Sequence, residues 1–293
     1  MDLLLPLLVD GICTGSRYAI LGMGFALIFN TQRMFDISFG GIYTWCGLAM
    51  WILAAWLGLG IPVAGGLVLG LAFVLSYTIQ KGYMARMRNR SDSPVSIMLG
   101  SMAVLMAMEA IALIIWGGEI RTARTGDAAV FKMGPIQISD VKFYSPIFAL
   151  SIFLFFRYLF QRTPLGLNAK AIAANPLLSK IVGMETERIL TLTTCFGCVV
   201  IAVDAVLVCV DTGVHPAIGF QGVLIAFMAV ILGGIGSFEG AALGGVVIGF
   251  IRTVAVFQFP TLWQEMILFA ILFLIIAFRP IGIFGMKDWK KEV

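Results

Sequence analysis

Apolar residues fill nine stretches of the chain, at about Leu7–Ile28, Ile42–Leu59, Ile61–Ile79, Val95–Trp116, Phe143–Phe160, Ile189–Val210, Gly213–Leu232, Ala241–Phe259 and Leu262–Phe278. Within each stretch the apolar character runs around the whole helical circumference, which is the pattern of a helix surrounded by lipid or by other helices. A bilayer core needs about 20 such residues per crossing. The pattern predicts an all-α integral membrane protein, a polytopic bundle of about 8–10 transmembrane helices forming a single domain over residues 1–293. The polar breaks are short, apart from segments at about 117–142 and 161–188, and leave no room for a separate soluble domain. Asp2 and Asp10 stand where a secretory leader carries basic residues, so the first stretch is expected to be retained as a helix.

Composition sharpens this reading. The 293 residues are 60% hydrophobic and 12% charged, and the mean hydropathy of +1.00 is far above the need of a soluble core. The net charge of +4 matters less than its placement. With the N-terminus outside, 14 Lys and Arg residues fall on the inner side, at Arg33, 81–90, 157–188 and 279–291, against four in the outer loop, Arg121, Arg124, Lys132 and Lys142. The positive-inside rule therefore predicts a multi-pass protein with a periplasmic N-terminus and a cytoplasmic C-terminus.

Two segments outside the spans carry local signals. In the outer loop, Ile136-Gln137-Ile138-Ser139 alternates beside Gly134-Pro135, which predicts a small hairpin. Between Arg162 and Arg188 an Ala-, Leu- and Lys-rich stretch has Pro164 and Pro176 at helix-start positions, which predicts short helices. If that stretch were continuous, Asn175, Ser179 and Gly183 would share one face. Glycine is concentrated from Gly233 to Gly249. Gly236, Gly240 and Gly244 recur at every fourth position, which allows close helix approach, and 233–240 reads as a turn.

Chemistry is sparse. No G-x-x-x-x-G-K-[ST] run is present to cradle a nucleotide, so ATP and Mg²⁺, if they drive transport, belong to partner subunits and this chain is expected to be no enzyme and to hold no cofactor of its own. His215 is the sole histidine, and no paired Cys/His spacing is present for a metal. Cys195 and Cys198 sit inside an apolar stretch, as do Cys13, Cys46 and Cys209, and read as small core residues. Glu109, Asp204 and Arg252 fall within spans, where charge is costly and turns toward a cavity, an interior or a partner. Asp204 is the favoured partner of Arg252. A stand-alone ion-coupled secondary transporter using these three charges is the competing reading.

The sequence Arg162-Thr163-Pro164-Leu165-Gly166, followed by Ala171, Ala174-Asn175-Pro176 and Gly183, resembles the coupling segment of branched-chain amino-acid ABC transporter permeases of the LivH type. Leu232-Gly233-Gly234-Ile235-Gly236-Ser237 with Gly240 and Gly244, Gly15-Ser16 with Tyr18-Ala19, and Arg279-Pro280 with Gly282 are similar to other motifs of that family, in the same order along nearly the whole chain. The resemblance implies an inner-membrane importer. A second permease, two cytoplasmic ATPases and a periplasmic solute-binding protein would complete it. Arg162, Leu165, Gly166, Ala174, Asn175, Pro176, Ser179 and Gly183 would couple to an ATPase, and Gly233, Gly234, Gly236, Gly240 and Gly244 would pack beside the pathway. Departures bear on substrate: Ile37-Ser38-Phe39-Gly40 replaces a family Ala-His-Gly pattern, Ile225 stands where lysine is common, and Arg252 where glutamate is common. Branched-chain or related amino acids are the implied cargo, with urea or short amides as the alternative.

Overall fold

A bilayer offers no water to unpaired backbone amides, so the apolar stretches close their hydrogen bonds internally as helices. The structure, a computed structural model, describes residues 4–90, 93–123, 130–133, 136–258, 263–278 and 282. Its helices are α1 (Leu4–Gln32), α2 (Phe39–Trp51), α3 (Ile61–Ile79), α4 (Ala85–Arg90), α5 (Pro94–Trp116), α6 (Asp140–Arg162), α7 (Pro164–Ala174), α8 (Pro176–Ile181), α9 (Thr186–Asp211), α10 (Ile218–Gly233), α11 (Phe238–Gln258) and α12 (Gln264–Phe278). Among the described residues seven runs are long and apolar enough to cross a membrane: Pro6–Gln32, Phe39–Trp56, Ile61–Arg88, Pro94–Trp116, Val141–Arg162, Thr186–Asp211 and Phe238–Ala255. α10 and α12 are shorter, with 16 and 15 residues. The outer-loop hairpin is present, with β1 (Val130–Met133) antiparallel to β2 (Ile136–Ser139) and Met133 opposite Ile136. Its turn residues lie outside the described residues.

Several boundaries differ from the sequence reading. The third span does not stop at Ile79 but continues through a π-turn, Gln80–Met84, to Arg88, because no glycine-proline break intervenes before Ser93-Pro94. The seventh stretch does not begin at Gly213. Gly213 adopts a positive φ of 87°, Val214 forms a β-bridge with Arg121, and α10 starts only after Pro216.

The chain divides into two compact units, one of residues 1–26, 126–153 and 224–293, the other of 27–125 and 154–223. In the first, glycines set the helix approach. An ideal Cβ on Gly249 of α11 would lie 2.1 Å from Gly15 Cα of α1, and one on Gly245 2.4 Å from Ala19 N. Between α10 and α11, a Cβ on Gly244 would meet the Ala229 carbonyl. Small residues are what bring helices this close where no hydrophobic effect drives them together. In α6, Pro146 cannot donate to the Lys142 carbonyl four residues back; the Ser145 hydroxyl donates to that carbonyl instead, at 2.7 Å, and also lies 3.0 Å from the Cys13 carbonyl.

In the second unit α9 packs on α2 and α3, and α2 also meets α5. α3 buries Ala64, Val68, Ala72 and Ser76, a four-residue repeat that Gln80 and Met84 extend. A π-turn closes on i→i+5 bonds, here Ala85 N to the Gln80 carbonyl, and its wider winding keeps this stripe on one face for another turn.

Candidate functional site

The segment between α6 and α9 is a capped helical corner in the second unit. Thr163 accepts from Gly166 N at 3.5 Å and Pro164 opens α7, where its missing N–H costs nothing. Asn175 then ends α7 and caps α8, accepting from Leu178 N at 2.9 Å, with Pro176 at the first position of α8. The continuous helix expected through this stretch is therefore corrected: the Asn175-Pro176 pair separates α7 from α8, and α8 itself ends at Ile181, short of Gly183. Ser179 is buried with its hydroxyl on the Asn175 carbonyl, and Gly183 lies past α8 with φ 85°. Gly166 faces the end of α6, where its Cβ would sit 2.4 Å from Phe160 Cα. Arg162, Ala174, Asn175, Pro176 and Gly183 are exposed and Leu165 is half-buried.

The apolar tip of this corner was not singled out from the sequence. Leu177, Leu178, Ile181 and Val182 are 69%, 56%, 74% and 69% exposed. The signal was available, since Leu177/Ile181 and Leu178/Val182 are two i,i+4 apolar pairs in a segment otherwise read as polar.

The glycine-rich turn lies in the first unit. α10 ends at Gly233, and Gly234 and Gly236 take positive φ angles of 109° and 94°. Ser237 then starts α11 by accepting from Gly240 N at 2.9 Å. A Cβ on Gly233 would fall 1.9 Å from the Gly240 carbonyl oxygen, so the two helix ends cross at backbone contact and Gly244 extends the seam.

The three span charges each have a polar partner within their own unit. Asp204, on α9, accepts from the Tyr43 hydroxyl of α2 at 2.9 Å. Arg252, on α11, donates to the Tyr18 hydroxyl of α1, with the guanidinium 5.6 Å from that ring's centre. Glu109, on α5, accepts from Phe220 N at 2.9 Å, meeting an amide in the first turn of α10, and borders a groove of about 470 Å³ with Met106, Leu113, His215 and Pro216. Tyr43→Phe is expected to remove one donor from buried Asp204 and cost about 1–2 kcal/mol. A thermal unfolding curve in detergent checks this; an unshifted curve would show that the hydroxyl contributes nothing.

In the outer segment, Arg121 is engaged with its own chain. It exchanges backbone hydrogen bonds with Val214, its guanidinium lies 4.8 Å from the Trp51 ring centre, and it pairs with Glu119 at 3.6 Å. Arg124 lies outside the described residues. Cys13, Cys46, Cys195, Cys198 and Cys209 are buried free thiols, as expected of core residues. Among the described residues no group of three or more His, Cys, Asp or Glu side chains is arranged to hold a metal.

Seven apolar spans among the described residues and helix seams made of glycine define a polytopic helical membrane protein. The chain belongs to the family of permease components of the branched-chain amino acid transport system, whose pattern it matches over residues 7–276. It is 29% identical to BraD, a permease protein of the high-affinity branched-chain amino acid transport system of Pseudomonas aeruginosa, with 97% of this chain and 96% of that one aligned. It is 26% identical to LivH, a permease protein of the corresponding Escherichia coli system, over 96% of each chain. The fold is shared with PsaBC from Streptococcus pneumoniae, solved in complex with Fab, at a TM-score of 0.51 and 14% identity over 92% of this chain and 90% of that one. The protein is thus a multi-pass permease component of an ABC importer, not an enzyme, as the sequence motifs implied.

Proposed function

We propose that this chain is the bacterial inner-membrane permease through which branched-chain or closely related amino acids enter. In this reading it works beside a second permease, with two cytoplasmic ATPases supplying ATP hydrolysis on Mg²⁺ and a periplasmic binding protein delivering the solute. The N-terminus faces the periplasm and the corner from Arg162 to Gly183 faces the cytoplasm, in keeping with the basic residues that flank it. The observation that carries the reading is the apolar tip. Leu177, Leu178, Ile181 and Val182 stand exposed on a short helix capped at its start, outside every span. An exposed apolar cluster with Lys180 beside it in the same short helix is the kind of anchor that fills a groove on a protein partner. The stand-alone ion-coupled reading has no comparable support, since the family is one of transport-system components.

The test is co-purification. Leu177→Ser combined with Ile181→Ser is expected to lower the amount of ATPase retained on the tagged permease about ten-fold, with membrane insertion unchanged. ATPase retained at the parental level would remove the tip from the interface. Leucine uptake by the four-part complex in vesicles, dependent on ATP and on binding protein, tests the solute.

A further inference from the structure

Three elements of the second unit meet around one buried guanidinium. Arg88, at the end of the helix that began as α3, has a side chain only 8% exposed. Its Nη2 donates to Glu187 at 3.0 Å, and its Nη1 points at Gln80 Oε1 at 3.1 Å and Gln32 Oε1 at 3.4 Å. Each glutamine presents its oxygen to the guanidinium and its nitrogen to a further acceptor. Gln80 Nε2 donates to Asp36 Oδ2, and Gln32 Nε2 to Thr194 Oγ1 at 2.6 Å. Flipping either amide would set an NH2 group against the cation, so the network has a single polarity. Its two ends are the informative feature. Glu187 is in the first turn of α9, four residues beyond Gly183 and the proposed coupling corner. Asp36 is in the non-helical break between α1 and α2, where Arg33 takes the uncommon φ of 54°.

Side chains tie the break to its neighbours, beside the backbone bonds from Arg33 N to the Phe29 carbonyl at 2.8 Å and from Gly40 N to the Ile37 carbonyl at 3.1 Å. Asp36 Oδ1 accepts from Ser38 N at 3.0 Å and from the Ser38 hydroxyl at 2.6 Å, while Ile37 N donates to Ser101 on α5 at 3.0 Å. The start of α2, and with it Tyr43 opposite Asp204, is positioned by this knot. A non-glycine residue in the left-handed region persists where its surroundings over-determine it, and such segments are drawn upon for switching. The π-turn serves the same arrangement by bringing Gln80 and Arg88 onto one line.

We propose that Arg88 is a positioning residue of transport: the clasp that carries displacement of the α7–α8 corner through Glu187 to Gln80 and Asp36, and so to the break that sets α2. This rests on the corner being the ATPase contact. The planar guanidinium meets Glu187 through one nitrogen and both amides through another, a separation that the single nitrogen of a lysine does not reproduce. The clasp is exposed at Glu187, whose side chain is 42% exposed, while the Arg88 side chain is 8% exposed and Asp36 is buried.

The experiment uses the complete importer in vesicles, reading leucine moved per ATP hydrolysed. Arg88→Met is expected to lower that ratio at least about five-fold while ATP hydrolysis continues. Arg88→Lys is expected to restore less than half of it, and Glu187→Gln, at a half-exposed position that tolerates change, to lower it about two-fold. A parental ratio in Arg88→Met and Glu187→Gln complexes overturns the clasp while leaving the coupling corner standing. So does an Arg88→Met chain that fails to assemble beside a Glu187→Gln complex of parental ratio, since the network is then only structural. A parental complex that retains no ATPase overturns the reading beneath both.

Discussion

Replacing Gly249 by leucine is expected to abolish recovery of folded permease while leaving its insertion into the membrane intact. A Cβ at this position lies 2.1 Å from Gly15 Cα and 2.3 Å from Gly15 N, where ordinary contact begins beyond 3 Å. Both neighbours are backbone atoms of another helix, so no rotamer change relieves the clash; α1 and α11 must separate along the whole seam, including Gly245 against Ala19 and Gly15 against Val246. Overpacking costs about 1–3 kcal/mol when side chains absorb it and more when they cannot, against a total stability of about 5–15 kcal/mol. Leucine favours insertion more than glycine, so the lesion falls on helix association alone. Gly70→Leu on α3, where nothing lies within 4 Å of the added carbon, is the control and is expected to purify at the parental level. Equal monodisperse yields of the two variants in detergent would contradict the seam.

The spans were legible because lipid imposes one rule on every one of them, an apolar surface over about 20 residues, and the four-residue glycine spacing announced close helix contact. The identity of the contact was not legible. Gly249 meets Gly15 across more than two hundred positions, and hydropathy carries no information about pairing. Asp204 and Arg252 illustrate the same limit: both were recognised as charges needing a partner, yet the partners in hand are phenols, Tyr43 and Tyr18, whose rings count as ordinary apolar residues in a span. Arg88 was hidden for another reason. Basic residues at the inner end of a span normally lie in water, so Arg88 read as one positive charge among four, and its burial depends on a π-turn that propensity does not encode. The corner was half legible. Asn175-Pro176 states a helix break in its own chemistry, since the residue before proline leaves the helical region, whereas the four-residue spacing from Asn175 to Gly183 carried no sign that α8 ends at Ile181.

The corner also separates two ways in which a glycine is required, and this gives the second large effect. Gly166→Ala is expected to abolish ATP-driven uptake, with the chain still inserted. Its Cβ would lie 2.4 Å from Phe160 Cα and 2.7 Å from the Phe160 carbonyl, so a single methyl group forces α7 away from the end of α6 and carries the tip at Leu177 and Ile181 with it. The Thr163 cap, already 3.5 Å from Gly166 N, is lost in the same movement. Gly183 is the contrast. It sits at φ 85° with nothing within 4 Å of a Cβ, so alanine there costs about 1–2 kcal/mol of backbone strain and leucine costs the same, because strain depends on having a Cβ and not on its size. Uptake is therefore expected to fall modestly and equally in Gly183→Ala and Gly183→Leu, and to vanish already at Gly166→Ala. A graded loss from alanine to leucine at Gly183 would mean that the space around it is filled in the working complex, and full uptake by Gly166→Ala would mean that the α6–α7 contact is not what holds the tip in place.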